Sequence, residues 1–199
     1  YQQNERRKNI LRQNTEKYSL PLFYVNHVGA QTELLFDGGS MVLSASSAVI
    51  DELNYFEEDL KVYELENLQA LEDAGYKEAD MPEIESIHRA LVMGIRNYFE
   101  KLGFTKAILG LSGGIDSAVT LCLAAEALEK ENVYGVLMPS EFSSEHSVAD
   151  AEALAVNMGC KHDMIPIHKA YQSFMQELNP LFGNRPFNIA EENIQARVR

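Results

Sequence analysis

The sequence predicts an α/β fold, with a doubly wound parallel sheet over its second half and a shorter strand-rich region ahead of it. Two observations carry this. From Lys106 onward apolar runs alternate with helical patterns: strand Lys106–Leu111, helix to about Glu129, strand Val133–Met138, helix about Glu145–Met158, strand His162–Ile167 and helix from about Lys169. Such alternation implies right-handed βαβ units and a parallel sheet. The second observation is the stretch Gly110-Leu111-Ser112-Gly113-Gly114-Ile115-Asp116-Ser117, which joins the first of these strands to its helix. A strand, a glycine turn and a helix N-terminus together build an anion site.

The elements ahead of that sheet are read in order. Tyr1 to Lys17 is polar, basic and helix-compatible, with Ile10 and Leu11 as its main apolar points. Leu20–Val28 reads as a buried strand. Leu34-Leu35-Phe36 and Met41-Val42-Leu43 flank Asp37-Gly38-Gly39-Ser40, which reads as a hairpin turn, and Ser44–Ile50 continues the strands. Asp51–Glu85 carries thirteen acidic residues against Lys61 and Lys77, a pattern of a solvated acidic connector with partial helix around Tyr63–Leu71. Pro82 opens a helix whose Ile87, Leu91, Ile95, Tyr98 and Leu102 form one apolar stripe toward a core. Gly103 ends it.

Composition narrows the function. The chain has 199 residues, a net charge of −13 and a pI near 4.8, which argues against a nucleic-acid surface. Cys122 and Cys160 have no metal spacing and suggest no disulfide framework. No apolar run approaches the ~20 residues of a membrane span and no signal peptide is visible, so a cytoplasmic protein without a membrane partner is expected. The sequence begins at Tyr1 inside a helical pattern and stops at Arg199, as an internal piece of a longer polypeptide would.

The chemistry centres on Gly110–Ser117. Glycines allow close backbone approach to a phosphate, and the first N–H groups of the following helix have no intrahelical partners. Ser112 and Ser117 add hydroxyls. Asp116 beside phosphates is repulsive unless a cation lies between them, so Asp116 is read as a Mg²⁺ ligand. The commoner nucleotide loop needs a lysine on the phosphates, and there is none between Lys106 and Lys130. Gly-x-Gly-x-x-Gly is also absent. Ser-Gly-Gly-Ile-Asp-Ser after a strand resembles instead the pyrophosphate loop of the ATP pyrophosphatases, which cleave ATP between its α and β phosphates. A plain strand-to-helix turn with a capping serine is the bland alternative. A second loop, Pro139–Ser147, leaves the next strand at the same end and is placed to take the nucleoside.

Longer stretches make the resemblance specific. Ile87-His88-Arg89-Ala90-Leu91, the Gly110–Ser117 loop, Leu137-Met138-Pro139-Ser140, Ser143-Ser144 and Glu192-Asn193-Ile194-Gln195-Ala196-Arg197 resemble the synthetase domain of NAD⁺ synthetases. Tyr24-Val25-Asn26-His27-Val28-Gly29 and Glu33-Leu34-Leu35-Phe36-Asp37-Gly38-Gly39-Ser40 resemble the end of the nitrilase-like glutaminase domain that precedes it in the glutamine-dependent form. The resemblance implies three parts. Residues 1–60 would be the terminal part of a nitrilase-like α/β sandwich, 61–85 the acidic connector and 86–199 the first part of the ATP pyrophosphatase domain.

It implies adenylation of the nicotinate carboxylate of deamido-NAD by Mg-ATP. Pyrophosphate leaves, and ammonia, supplied from glutamine in the intact enzyme, then displaces AMP. Ser112 and Asp116 would be catalytic. Gly110, Ser112, Gly113, Gly114, Ile115, Asp116, Ser117, Met138, Pro139 and Ser140 would bind ATP, and Asp116 the Mg²⁺. Asn193, Arg197 and Arg199 would bind deamido-NAD, often across a homo-oligomer interface, and Arg7 would hold the glutamine carboxylate. One departure matters. A nitrilase-like glutaminase needs a Glu, Lys and Cys set, and neither cysteine here has a nucleophile context, so this chain as given is not expected to hydrolyse glutamine. Other readings are a different ATP pyrophosphatase amidotransferase such as GMP synthetase, a catalytically silent structural fragment, and a stand-alone carbon–nitrogen hydrolase, which the missing cysteine opposes.

Overall fold

In the computed structural model, which describes residues 3–76, 81–182 and 189–199, the acidic and strand-rich first part folds around one short strand. The strand is β4 (Met41–Leu43), buried at all three positions. It pairs antiparallel with β1 (Leu22–Tyr24) and with β5 (Val49–Glu52), giving the order β1-β4-β5. Side chains alternate across a strand. Met41 and Leu43 therefore pack on one face with Leu11 of α1 (Gln3–Tyr18). Val42 packs on the other with Ile50 and Leu68, which opens α2 (Leu68–Ala74). Residues 1–98 form one compact unit and 99–199 a second.

Several expectations are corrected in this first unit. Leu20–Val28 is not one buried strand. β1 stops at Tyr24, Val28 begins β2 (Val28–Gln31) in a separate sheet, and Val25 is 81% exposed. The break leaves the Asn26 side chain to donate to Asp37 Oδ1 (2.8 Å) and to the Gly38 carbonyl (2.7 Å), replacing ladder bonds. Asp37–Ser40 is not a hairpin turn either. β3 (Leu34–Asp37) pairs with β2 while β4 pairs elsewhere, so Gly38 and Gly39 carry the chain from one sheet to the other. Both have positive φ, +74° and +60°, and a side chain on Gly39 would overlap the Tyr55 ring.

The acidic stretch is partly structural rather than a solvated connector. Asp51 and Glu52 end β5. Lys61 Nζ donates to both Asp51 oxygens (2.9 and 2.8 Å) and the Tyr63 hydroxyl to one of them (2.9 Å). Glu52 accepts from the Tyr55 and Tyr76 hydroxyls and pairs with Lys8 Nζ at 3.1 Å, with side-chain exposures of 2% for Lys8 and 3% for Glu52. The helical portion is a 3₁₀ turn, Leu65–Asn67, leading into α2.

The helix opened by Pro82 is α3 (Glu83–Leu102). Its expected apolar stripe is not the buried one. Ile87, Leu91, Tyr98 and Leu102 are 41–55% exposed, and Val92 and Met93 are buried. α3 meets the β2–β3 hairpin through small and polar positions. A Cβ on Gly94 would lie 3.2 Å from Leu35, and Asn97 Oδ1 accepts from the Ala30 N–H (2.9 Å).

The second unit is the expected parallel sheet. β6 (Ala107–Leu111), β7 (Val133–Leu137) and β8 (Lys161–Met164) lie in that order, with Leu111 level with Leu137. α4 (Ile115–Leu128) and α5 (Glu145–Met158) are the crossovers, packed through Leu121, Ala124, Ala125, Ala151 and Ala155 on Val133 and Leu137. Because the strand order runs one way, right-handed crossovers bring both helices to one face. A second winding direction is not among the described strands. β8 ends earlier than expected, yet the Ile165 and Ile167 N–H groups still bond the carbonyls of Leu137 and Pro139 (2.8 and 3.0 Å). α6 (His168–Phe182) and α7 (Ile189–Val198) pack on each other. Among the described residues no helix is long and apolar enough to cross a membrane.

Glu52 generates a prediction. Burial alone would raise its carboxyl, but the bonds from Tyr55, Tyr76 and Lys8, with the Lys8 charge, hold it below the usual carboxylate range. A depressed folded value means stability that is present above the unfolded value near 4.5 and lost as the pH falls through the folded one. Lys8→Met strands the carboxylate and should cost about 3–5 kcal/mol in urea unfolding at pH 7, with Lys8→Met/Glu52→Met recovering much of it.

Candidate nucleotide site

β6 and β7 end level, so the loops that follow them leave the sheet side by side at the carboxyl edge, where ligands of open α/β sheets bind. The first loop, residues 112–114, turns on Gly113, whose φ is +78°. A Cβ there would stand 2.7 Å from both the carbonyl carbon and Cα of Ser147, so only glycine lets the loop lie against the start of α5. Gly114 caps α4 without a side chain, leaving the first-turn N–H groups of α4 directed at the loop mouth.

Hydroxyls brace this turn. Ser112 Oγ accepts from the Gly114 N–H (3.2 Å) and meets Ser117 Oγ at 3.1 Å. Ser117 Oγ accepts from the Ser112 N–H (3.3 Å) and donates to the Gly114 carbonyl (2.9 Å). Asp116 is exposed in the first turn of α4, ahead of Thr120, whose hydroxyl donates to the Asp116 carbonyl (2.7 Å). Among the described residues no three His, Cys, Asp or Glu side chains group as a metal cluster.

The second loop closes the other side. The Ser140 N–H donates to Ser143 Oγ (3.0 Å), and Ser144 caps α5 by accepting from the Ser147 N–H (3.1 Å). Gly110, Leu111 and Ser112, with Leu137, Met138 and Pro139, line one pocket between the loops. Ser143, Ser147, Val148 and Arg199 complete it. Gly113, Gly114, Ile115, Asp116 and Ser117 on the first loop and Ser140 on the second were expected at the nucleotide but stand outside this lining. Ser140 is reached from α7, where Gln195 donates to its hydroxyl.

α7 presents two faces. Gln195 and Glu191 are buried. Asn193 and Arg197 are exposed one turn apart, with Arg197 Nη1 donating to the Asn193 carbonyl (3.4 Å). Arg199 lies with the pocket rather than with that pair. Its Nε donates to the Met138 carbonyl (3.2 Å) and its Nη2 to Ser143 Oγ (3.3 Å). Sequence reasoning missed Gln195, Ser147 and Val148 as parts of the site. The spacing of four between Gln195 and Arg199 was the one signal available, because residues four apart share a helix face.

Arg7 belongs to the first unit and is not a solvated helix charge. It donates to Asp37 Oδ1 (2.8 Å) and the Gly38 carbonyl (3.4 Å) and lies over the Tyr24 ring at 5.5 Å. Burial pushes the Cys160 thiol up, the Cys122 thiol nearby adds to the rise, and Cys122 Sγ sits 3.8 Å from Met158 Sδ. Cys160 is a buried member of the core of the second unit, and Cys122 is half-buried against Met158.

A glycine-turned loop between a parallel strand and a helix, with a second serine-rich loop beside it, defines an open α/β domain with its candidate site at the carboxyl ends of the strands. The family model described as NAD synthase matches residues 87–199. The chain belongs to the NAD synthase family. A glutamine-dependent NAD(+) synthetase of Synechocystis is 45% identical over 195 residues, 97% of this chain and 35% of the relative. That of Thermotoga maritima is 39% identical over 225 residues, covering 97% of this chain and 39% of the relative. Among solved structures, the glutamine-dependent NAD⁺ synthetase of Acinetobacter baumannii in complex with ADP superposes with a TM-score of 0.90. It is 37% identical and is covered over 100% of this chain and 38% of that one. The chain thus spans a little over a third of the length of the relatives it matches.

Gly113→Ala tests the loop. It adds backbone strain of about 1–3 kcal/mol and a clash with Ser147, and should lower the melting temperature of the second unit. An unchanged melt would mean that the loop does not lie against α5.

Proposed function

We propose that this chain is part of a glutamine-dependent NAD⁺ synthetase, which amidates deamido-NAD with ATP through an adenylated intermediate. The observation that carries the reading is the Gly110–Ser117 loop beside the Pro139–Ser147 loop in a chain of the NAD synthase family. Residues 1–60 are assigned to the end of a nitrilase-like glutaminase domain, 61–85 to the connector and 86–199 to the first part of the synthetase domain. The family match begins within α3, and the first compact unit ends at Tyr98 in the same helix.

In the first step a carboxylate oxygen of the acceptor bonds to the α-phosphorus and the bond to the β-phosphate oxygen breaks. Charge develops on the leaving pyrophosphate. The N–H groups of Gly113 and Ile115 are the donors offered to it, and the hydroxyls of Ser112 and Ser117 with the Gly114 N–H, which bond within the turn, hold those donors in place. In the second step ammonia bonds to the acyl carbon, AMP leaves with the electron pair, and the nitrogen gives up one proton to solvent. No protein nucleophile is needed, so positioning dominates.

A single exposed carboxylate at a phosphate loop fits Mg²⁺, which is commonly held by one or two carboxylates together with substrate phosphates. Asp116 would hold it, and the ion when bound would neutralise phosphate charge. Met138, Pro139 and Ser140 take the nucleoside, and Gly110 leaves room at the floor of the pocket. Asn193 and Arg197, exposed on α7, take the dinucleotide acceptor. Arg7 is the candidate for the glutamine carboxylate and would have to exchange Asp37 for it. A homo-oligomer in the cytoplasm accords with this reading.

Pyrophosphate release from Mg-ATP by the full polypeptide should require deamido-NAD and proceed with ammonium or glutamine. Asp116→Ala should lower that rate by at least about 100-fold while preserving the melt. Release that ignores deamido-NAD, or an Asp116→Ala rate equal to wild type, would refute the assignment.

A further inference from the structure

The triphosphate of ATP must be held by a chain of net charge −13, through a loop with no lysine between Lys106 and Lys130. N–H groups and hydroxyls supply partial charges only, and the overall field opposes the ligand. A cationic side chain at the pocket would change that balance. Among the described residues that line the pocket, Arg199 alone carries a charge.

Its placement is specific. The guanidinium is anchored at two points, Nε on the Met138 carbonyl and Nη2 on Ser143 Oγ, both on the loop opposite Ser112. Those bonds engage two of the five N–H groups of a guanidinium. Gln195, one turn back on α7, donates to Ser140 and so ties the same helix to the same loop. Arg197, two residues away, is exposed and donates to its own helix instead. Arg199 therefore differs from Arg197 in its partners, although only two residues separate them.

We infer that Arg199 is a nucleotide-phosphate ligand of the ATP pocket, rather than a contact of the dinucleotide acceptor, and that Gln195 positions it by docking α7 on the second loop. This rests on the proposed ATP-dependent reaction. A planar fork suits phosphate oxygens bidentately, which a lysine does not reproduce. The Met138 and Ser143 bonds hold the fork at the pocket before the anion arrives, so little side-chain entropy is lost on binding.

The test is equilibrium binding of ATP and of adenosine to the full polypeptide by calorimetry, in wild type, Arg199→Ala, Arg199→Lys and Arg197→Ala, with the KM for ATP and for deamido-NAD alongside. Losing a charge-assisted phosphate contact should weaken ATP binding roughly 10- to 100-fold in Arg199→Ala. Adenosine binding should stay within about 2-fold, Arg199→Lys should recover only part, and Arg197→Ala should leave ATP unchanged. Unchanged ATP affinity in Arg199→Ala, an equal loss of ATP and adenosine, or a rise confined to the KM for deamido-NAD overturns the inference. Wild type that binds ATP but releases no pyrophosphate with deamido-NAD counts against the proposed reaction and leaves the Arg199 binding result standing by itself.

Discussion

The close approach of Gly113 to the backbone of Ser147 is the constraint on which the nucleotide site depends. β6 and β7 run parallel with Leu111 level with Leu137, so their loops leave at one height. Whether those loops form one site or two separate turns is decided by how near they come. The absent Cβ at Gly113 lets the turn that opens α4 lie on the first turn of α5. Ser112, Ser117 and Ser144 then lock each turn with hydroxyl bonds, so the donors are preset before a ligand binds. Arg199 and Gln195 fasten α7 to the same second loop.

The two units solve the problem of charge in opposite ways. In the second, the pocket is built from neutral donors and one guanidinium, suited to an anion that arrives from outside. In the first, charge is internal and answered internally. Glu52 is enclosed by Lys8, Tyr55 and Tyr76, and Asp51 by Lys61 and Tyr63. Asp37 accepts from both Arg7 and Asn26. Tyr55 and Tyr63 are pushed well above the usual phenol range, first by burial and then by their carboxylate partners, so they act as fixed donors at any physiological pH. The start of an acidic run need not be a solvated linker when its carboxylates, here Asp51 and Glu52, have designated donors.

The parallel sheet and the anion loop were legible because their signals are local. Strand–helix alternation and the Ser112–Ser117 turn lie within a few residues of each other, and backbone geometry follows directly. The reading failed where pairing is non-local. Asp37-Gly38-Gly39-Ser40 has the composition of a hairpin turn, yet its flanking strands join different sheets. The positive φ of both glycines serves a crossover as well as a hairpin. On α3 the periodic stripe had the stronger apolar signal, but Gly94 and Asn97 face the β2–β3 hairpin because a close approach and a bond to Ala30 win over area.

By itself the sequence determined the chemistry available: a glycine loop without lysine, hydroxyls at its ends, one carboxylate beside it and an arginine-bearing helix. Those are properties of residue type and short spacing, which need no fold to be read. Tertiary structure alone decided which of these meet. Residues as far apart as Met138 and Arg199 become neighbours only when α7 docks, and a helix face cannot be chosen until its partner surface exists. That is why Asn193, Arg197 and Arg199 were assigned together to one substrate in sequence, while of the three Arg199 stands at the pocket.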